Sequence, residues 1–411
     1  MTFKFVSIAK NNDRYREHAM TETAYVFIHP MLGPDDAWSA FNVELPTGLH
    51  GQELLARLAG APQLDRFDQR LTWFLPAGSY TPSVQSLGER AVIVFPDDAP
   101  EEEKEALATL EGSLRQARQK LALASSPGAK LPASGAWDYL VLTASHARSL
   151  PPYTLLGMAS RTIVAITAPH TQSDRDWALA NACTLTTGEY LLARTIGQHK
   201  ADMTRLKLLK LLGLIEGDAS TDELEEIFRE ESKLSYSLLR LVNSAAMAPR
   251  SPITSFGQAI NLLGRRQLQR WLQLLVYSDP NNGQHPTPLL QKAAVRGRLL
   301  ELLAPSLALD PAWENVGDLA FMIGTFSLLD TLLNMPMADI LHQLPLPEIA
   351  QQALGTRTGP FGPALAAIDA ADKRELNAAA CQLGKLGIDP ANYLDAQLEA
   401  IGWAARICTA G

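Results

Sequence analysis

A chain of 411 residues that is 46% apolar can bury cores for two or three folded domains, which excludes a disordered protein. Its formal charge of −8 and pI near 5.6 argue against a general binder of nucleic acid or anionic membrane, because both need a basic surface. The three cysteines, Cys183, Cys381 and Cys408, spell neither a disulfide framework nor a zinc knuckle; with no signal-peptide core at the start and no run of about 18 apolar residues, a cytoplasmic chain without a membrane span is expected.

In chain order, YVFIHPML and AWSAFNV, between Ala24 and Val43, are apolar runs broken by Gly33-Pro34-Asp35-Asp36, which predicts strand, turn, strand. Gln52 to Leu58 reads as a helix, and Leu71 to Pro76 and Ala91 to Pro96 as buried strands. From Pro100 onward a charged stretch repeats Leu107, Leu110 and Leu114 at helical spacing. Strands recur at Leu121 to Leu123, Asp138 to Leu142 and Thr162 to Thr167, so the N-terminal half predicts a parallel α/β sheet or barrel, with fewer clear helices than a full barrel wants.

After Arg194 the strand signals stop, and a boundary near Gly197 divides the chain into residues 1–197 and an all-α part, 198–411. Met203 to Ile215 is too apolar for a free linker, so the two parts are expected to form one unit. Leu234, Leu238, Leu241, Val242 and Ala245 build one helical face, which Pro249 and Pro252 end. Ser255 and Gln258 spell a capping box for a new helix that Gly264 stops, and Leu268, Leu272 and Leu275 start another. Behind a loop at Ser278 to Pro288, the stripe of Leu319, Met322, Ile323, Phe326 and Leu333 reads as core, and two Ala-rich helices follow around Leu376 to Leu386 and Leu394 to Ile407.

The words LLRLVNSA, ITS and QAINLLG follow one another within a short stretch, and this combination resembles the signature of the HDOD domain, an all-α bacterial module related to HD-type phosphohydrolases. The matching positions are Leu238, Leu239, Leu241, Val242, Asn243, Ser244, Ala245, Ser255, Ala259, Leu263 and Gly264. Downstream, AFMIGTFSLLDTLLNMP resembles the subgroup in which this module follows a cyclic-di-GMP phosphodiesterase-like (EAL) domain, so the resemblance implies an EAL-like α/β barrel-type domain before the HDOD helices.

The chemistry that those families use is largely missing. Where an HD hydrolase carries its His-Asp doublet, the chain has Ser327-Leu328, which cannot ligate a metal as imidazole and carboxylate do. The EAL family holds two divalent metals through acidic residues at strand ends. Alignment to its pattern leaves Asn42 at the signature Glu, with Glu44 on the same strand face; Ala124-Ser125 at a paired aspartate; Thr143 at the next ligand; Ile166 and Pro169 at a Glu-x-x-Glu; and Thr187 before Gly188 and Tyr190. His29, His146 and His170 near strand ends read as surface or satisfied core groups, and no phosphate loop or nucleophile elbow is spelled.

The resemblance therefore implies a non-catalytic bacterial signal transduction protein with a degenerate EAL-like domain and an HDOD domain, not an enzyme, with no catalytic, cofactor-binding or metal residues and no cofactor. Its expected partners are other signalling proteins, with no nucleic acid; cyclic-di-GMP binding is possible but not expected. The alternative is a cyclic-di-GMP phosphodiesterase or a metal-independent cyclic-di-GMP receptor. Arg265, Arg266 and Arg270 form a basic strip in an acidic protein and are the candidate partner surface.

Overall fold

The computed structural model describes residues 24–193, 253, 256–277, 287–311, 313, 315–344 and 346–408. The predicted strands are all present, and they close into one barrel. Strands β1 (Phe27–Leu32) and β2 (Trp38–Glu44) form an antiparallel hairpin in which Phe27 faces Glu44 and His29 faces Asn42. From β2 onward the order is parallel, through β3 (Thr72–Pro76), β4 (Ala91–Pro96), β5 (Lys120–Ala124), β6 (Tyr139–Thr143), β7 (Ile163–Thr167) and β8 (Leu185–Thr187). The last strand pairs back on β1 through Met31–Thr187 and Leu32–Thr186, which closes the ring. The strand β8, three residues long, and the helix Gln172–Ala180 before it carry too little pattern to be read from sequence.

Side chains alternate across each strand, so register decides which residues face the lumen. Ala40, Tyr139, Ala165 and Leu185 fill the interior, while Phe41, Trp73 and Phe67 pack outside against the helical layer. By this alternation Asn42 and Glu44 lie on the inner face of β2, as the sequence implied, and Thr143, Thr167 and Thr187 lie on inner faces of theirs. Ile166 has the other parity and packs outside with Leu142 and Val164, so the inner position at the end of β7 is Thr167. Lumen position and alignment position thus differ by one residue there.

In the helical half, α6 (Phe256–Leu275) is broken at Gly264, whose φ of 72° and ψ of 162° leave the helical region, so the expected stop is a kink between two helices. α7 (Pro288–Leu303) starts at Thr287, whose hydroxyl accepts from the Leu290 amide at 3.1 Å. It crosses α8 (Val316–Phe326) at a contact of small residues: a Cβ on Gly324 would sit 2.5 Å from the Arg296 carbonyl oxygen. Met322, Ile323 and Phe326 of the predicted stripe are buried here. Val316–Leu333 is apolar enough by composition to cross a membrane, with mean hydropathy 1.5, a run the sequence reading did not expect; 61% of it is buried inside the fold.

α12 (Gly362–Asp372), α13 (Leu376–Lys385) and α14 (Pro390–Cys408) complete the half and return the chain to the barrel. One side of α14 adds Leu394, Leu398 and Ile401 to the core outside the strands. Tyr25 and Phe27, at the start of β1, belong to the helical core, where both stack edge-on against Tyr393, with ring centroids 5.9 and 5.7 Å away.

Candidate functional site

The carboxyl ends of β2 to β8 open on one mouth of the barrel, and β1, running the other way, brings its first residues there. On this mouth Glu44 and Glu189 both accept hydrogen bonds from Arg374, a residue of the turn between α12 and α13. The Nη1–Glu189 contact is 3.3 Å, and Nη2 bonds to Glu44 Oε1. His29 adds its Nε2 at 3.6 Å from Glu44 Oε2. Arg374 is held at a φ of 63°, a left-handed conformation that non-glycine residues seldom adopt. A side chain from the helical half therefore enters the mouth of the barrel and bridges Glu44 and Glu189.

A second charge cluster lies behind the first. Arg296 of α7 is buried and donates to Asp372 at 2.6 Å and to the Ser327 hydroxyl at 2.9 Å, and it ion-pairs with Asp369 at 2.8 Å. Lys292 reaches Asp372 at 2.7 Å. Burial alone would raise the Asp372 carboxyl, but Lys292 and Arg296 hold it well below the usual carboxylate range. Between the clusters lies a cavity of about 80 Å³, lined by His29, Glu189, Lys292, Asp372 and apolar walls that include Trp38 and Tyr393.

Electrostatics separate the mouth groups. Burial, and next the Arg374 charge, push the His29 imidazole down to about 3, so it is neutral at ordinary pH. Burial also raises the Glu44 carboxyl, against the opposing pull of Arg374.

Of the other strand ends, only β4 is followed by an acid, Asp97, which accepts from the Ser126 amide at 2.9 Å. Asn42 is buried, Ala124 offers a methyl, and Thr143 caps the helix Ala144–Ser149 through the His146 amide. Thr187 Oγ1 accepts from the Ala168 amide at 3.0 Å, Thr167 Oγ1 donates to the Leu142 carbonyl at 3.3 Å, and Pro169 is buried. Ser125 is buried, and its carbonyl bonds to His146 Nδ1 at 3.0 Å, which makes His146 a core group; His170 is exposed. Two divalent metals would need carboxylates from several strands. Glu44 and Glu189 are engaged by Arg374 and Asp97 by the Ser126 amide, so the residues present do not fit a two-metal centre.

Of the HDOD signature, positions 238–245 and Ser255 lie outside the described residues, as does the segment Met203 to Ile215. Ala259, Leu263 and Arg265 sit in α6 with only their backbone described, and Gly264 is its kink. The rest of the expected basic strip is paired with acids. Arg270 lies over the Phe321 ring at 5.0 Å and binds Glu301 at 2.5 Å and Asp318 at 2.8 Å, so its charge is spent inside the fold; Arg266, much more exposed, bonds to the same Asp318. Ser327, at the lost HD doublet, donates to the Gly324 carbonyl at 2.6 Å and accepts from Arg296.

Sequence reading missed Arg374, Glu189, Arg296 and Asp372. Glu189 follows a glycine that was singled out, and the other three stand in helical stretches whose charges look solvated. Closure of one half on the other gives Arg374 and Glu189 their partners, and helix packing inside the helical half joins Arg296 to Asp372.

Residues 204–296 match the HDOD domain. The cyclic di-GMP phosphodiesterase CdgJ of Vibrio cholerae is 30% identical over 183 residues, which is 44% of this chain and 41% of that protein. The uncharacterized protein YuxH of Bacillus subtilis is 32% identical over 131 residues, 31% of each chain. The chain thus spans less than half the length of the curated relatives it matches. Among solved structures, the Bacillus subtilis YkuI protein, with an EAL domain, in complex with c-di-GMP and calcium, aligns at a TM-score of 0.31 and 16% identity over 58% of this chain and 72% of that one. The chain thus joins an EAL-like barrel to an HDOD domain.

Proposed function

We propose that this chain is a non-catalytic member of cyclic-di-GMP signalling systems, which acts by presenting surfaces to other signalling proteins. The observation that carries the reading is the barrel mouth, where Asn42, Ala124, Ser125 and Thr143 stand at positions that the EAL pattern gives to ligands, and where Glu44 and Glu189 are engaged by Arg374. Activating water on a phosphodiester takes a metal with open positions, and a guanidinium between two carboxylates supplies a fixed charge instead.

The name of the relative CdgJ favours a second reading, a phosphodiesterase or nucleotide receptor, which one experiment separates from the first. Purified protein is incubated with cyclic-di-GMP and Mg²⁺ or Mn²⁺, and binding is followed by titration calorimetry with and without the metal. No turnover above background is expected. Turnover that Glu44→Ala abolishes would establish the enzyme, and metal-independent binding without turnover would establish the receptor.

A further inference from the structure

Arg374 satisfies only part of what it meets. Its two terminal nitrogens reach one oxygen of Glu44 and one of Glu189, while Glu44 Oε2, Glu189 Oε2 and His29 Nε2 are buried without a hydrogen-bond partner among the described residues. His29 Nε2 faces Glu44 Oε2 at 3.6 Å, and Glu189 and His29, 5% and 8% exposed, also line the junction cavity of about 80 Å³. Buried acceptors without donors are costly, and the site holds more of them than its present occupant serves.

Arg374 keeps its left-handed φ of 63° as the cap of α12, where its amide donates to the Ala371 carbonyl and the Glu375 amide to the Ala370 carbonyl, both at 2.9 Å, and the ion pairs across the junction hold its side chain in the mouth. If the turn lifted, the mouth would present two carboxylates and the His29 imidazole. The chemistry that fills this arrangement is a planar fork of N–H donors, because two nitrogens of one group must reach two separate carboxylates at once. An ammonium, a point charge, does not span them equally well.

We propose that the barrel mouth is a guanidinium-binding site, filled from within by Arg374 and open, when the Arg374 turn lifts, to the arginine side chain of a basic peptide. The acids of the site are those that the reading as a non-catalytic protein rests on, but the site is tested without any assay of turnover.

Arg374→Gly removes the plug and suits the left-handed backbone, so its effect comes from the lost guanidinium rather than from new strain. The variant is expected to melt below the wild type and to regain most of that loss in millimolar methylguanidinium, while methylammonium at equal ionic strength restores much less. Adding Glu189→Gln to the variant should blunt the response. A short arginine peptide should displace methylguanidinium from Arg374→Gly, and its lysine analogue should not. A folded Arg374→Gly protein that responds equally to both cations, or to neither, overturns the site; one that binds methylguanidinium but not the arginine peptide overturns its use by a partner. Should the variant fail to fold in buffer, it is refolded with and without methylguanidinium. Recovery of folded protein only with the ion supports the site, and equal failure in both overturns it.

Discussion

His29 shows what one residue can do to stability at a junction. Burial and Arg374 lower its folded value to about 3, whereas an imidazole in the unfolded chain titrates near 6.5. Below that pH the unfolded state takes up a proton that the folded state refuses. Stability from this group is therefore complete above pH 6.5 and is lost as the pH falls toward 3, at up to about 1.4 kcal/mol per unit. Urea unfolding of the wild type and His29→Gln between pH 7 and 4 is expected to give curves that converge as the pH falls, because only the wild type carries the imidazole; parallel curves would show that the imidazole titrates normally. Arg270 and Arg266 make a second contrast, since they share Asp318 but differ in exposure. Arg270→Ala leaves Glu301 and Asp318 short of a partner in a half-buried site and should cost about 1–3 kcal/mol. Arg266 is 69% exposed, and its alanine variant should stay within about 0.5 kcal/mol of wild type, as surface ion pairs do. Chemical denaturation of the two variants checks the difference.

At the scale of elements, the strands were legible because each is a short apolar run closed by Pro, Gly or a charged turn, as in AVIVFP at Ala91–Pro96. The helices Gln52–Ala59 and Glu101–Gln116 and the pair meeting at Gly264 were legible from period and punctuation. The strand Leu185–Thr187 was not, since three residues have no measurable alternation, and with it went closure of the barrel. The mouth was half legible. Strand parity put Glu44 beside Asn42, but its partner Arg374 is 330 residues away and no local pattern connects them. Helix crossing is equally silent in sequence. Gly324 reads as an ordinary helical glycine, yet its Cα approaches the Arg296 carbonyl so closely that Gly324→Ala forces α7 and α8 apart. The variant should lose about 1–3 kcal/mol, the usual cost of overpacking, although alanine is the better helix former. A gain in stability on denaturation would mean that the crossing has slack.

The whole molecule is held together along β1. Its pairing with β8 covers only Met31 and Leu32, which leaves the edge of its first residues without a strand partner. Gln397 of α14 takes that place: its side-chain oxygen accepts from the Ile28 amide at 3.1 Å, and its nitrogen donates to the Val26 carbonyl at 2.7 Å. Tyr25 adds a bond from its hydroxyl to the Ile388 carbonyl at 2.6 Å, and Arg57 and Arg66 reach Asp395 and Glu399 of α14 at 2.9 and 2.7 Å. The exposed ion pairs contribute little, but the Gln397 clamp is buried and satisfies backbone groups that neither water nor β8 serves. A barrel that opened away from the helices would leave a bare strand edge, two aromatic rings and the mouth carboxylates without cover. The two halves should therefore unfold together. Near-ultraviolet signals from barrel tryptophans such as Trp73 and from Trp271 and Trp403 of the helical half are expected to be lost in one coincident transition. Gln397→Ala should lower that single midpoint by an amount corresponding to about 1–3 kcal/mol, with both sets of probes moving together. Two separate transitions in the wild type, or a shift confined to one set of probes, would show that the halves are independent domains that merely touch.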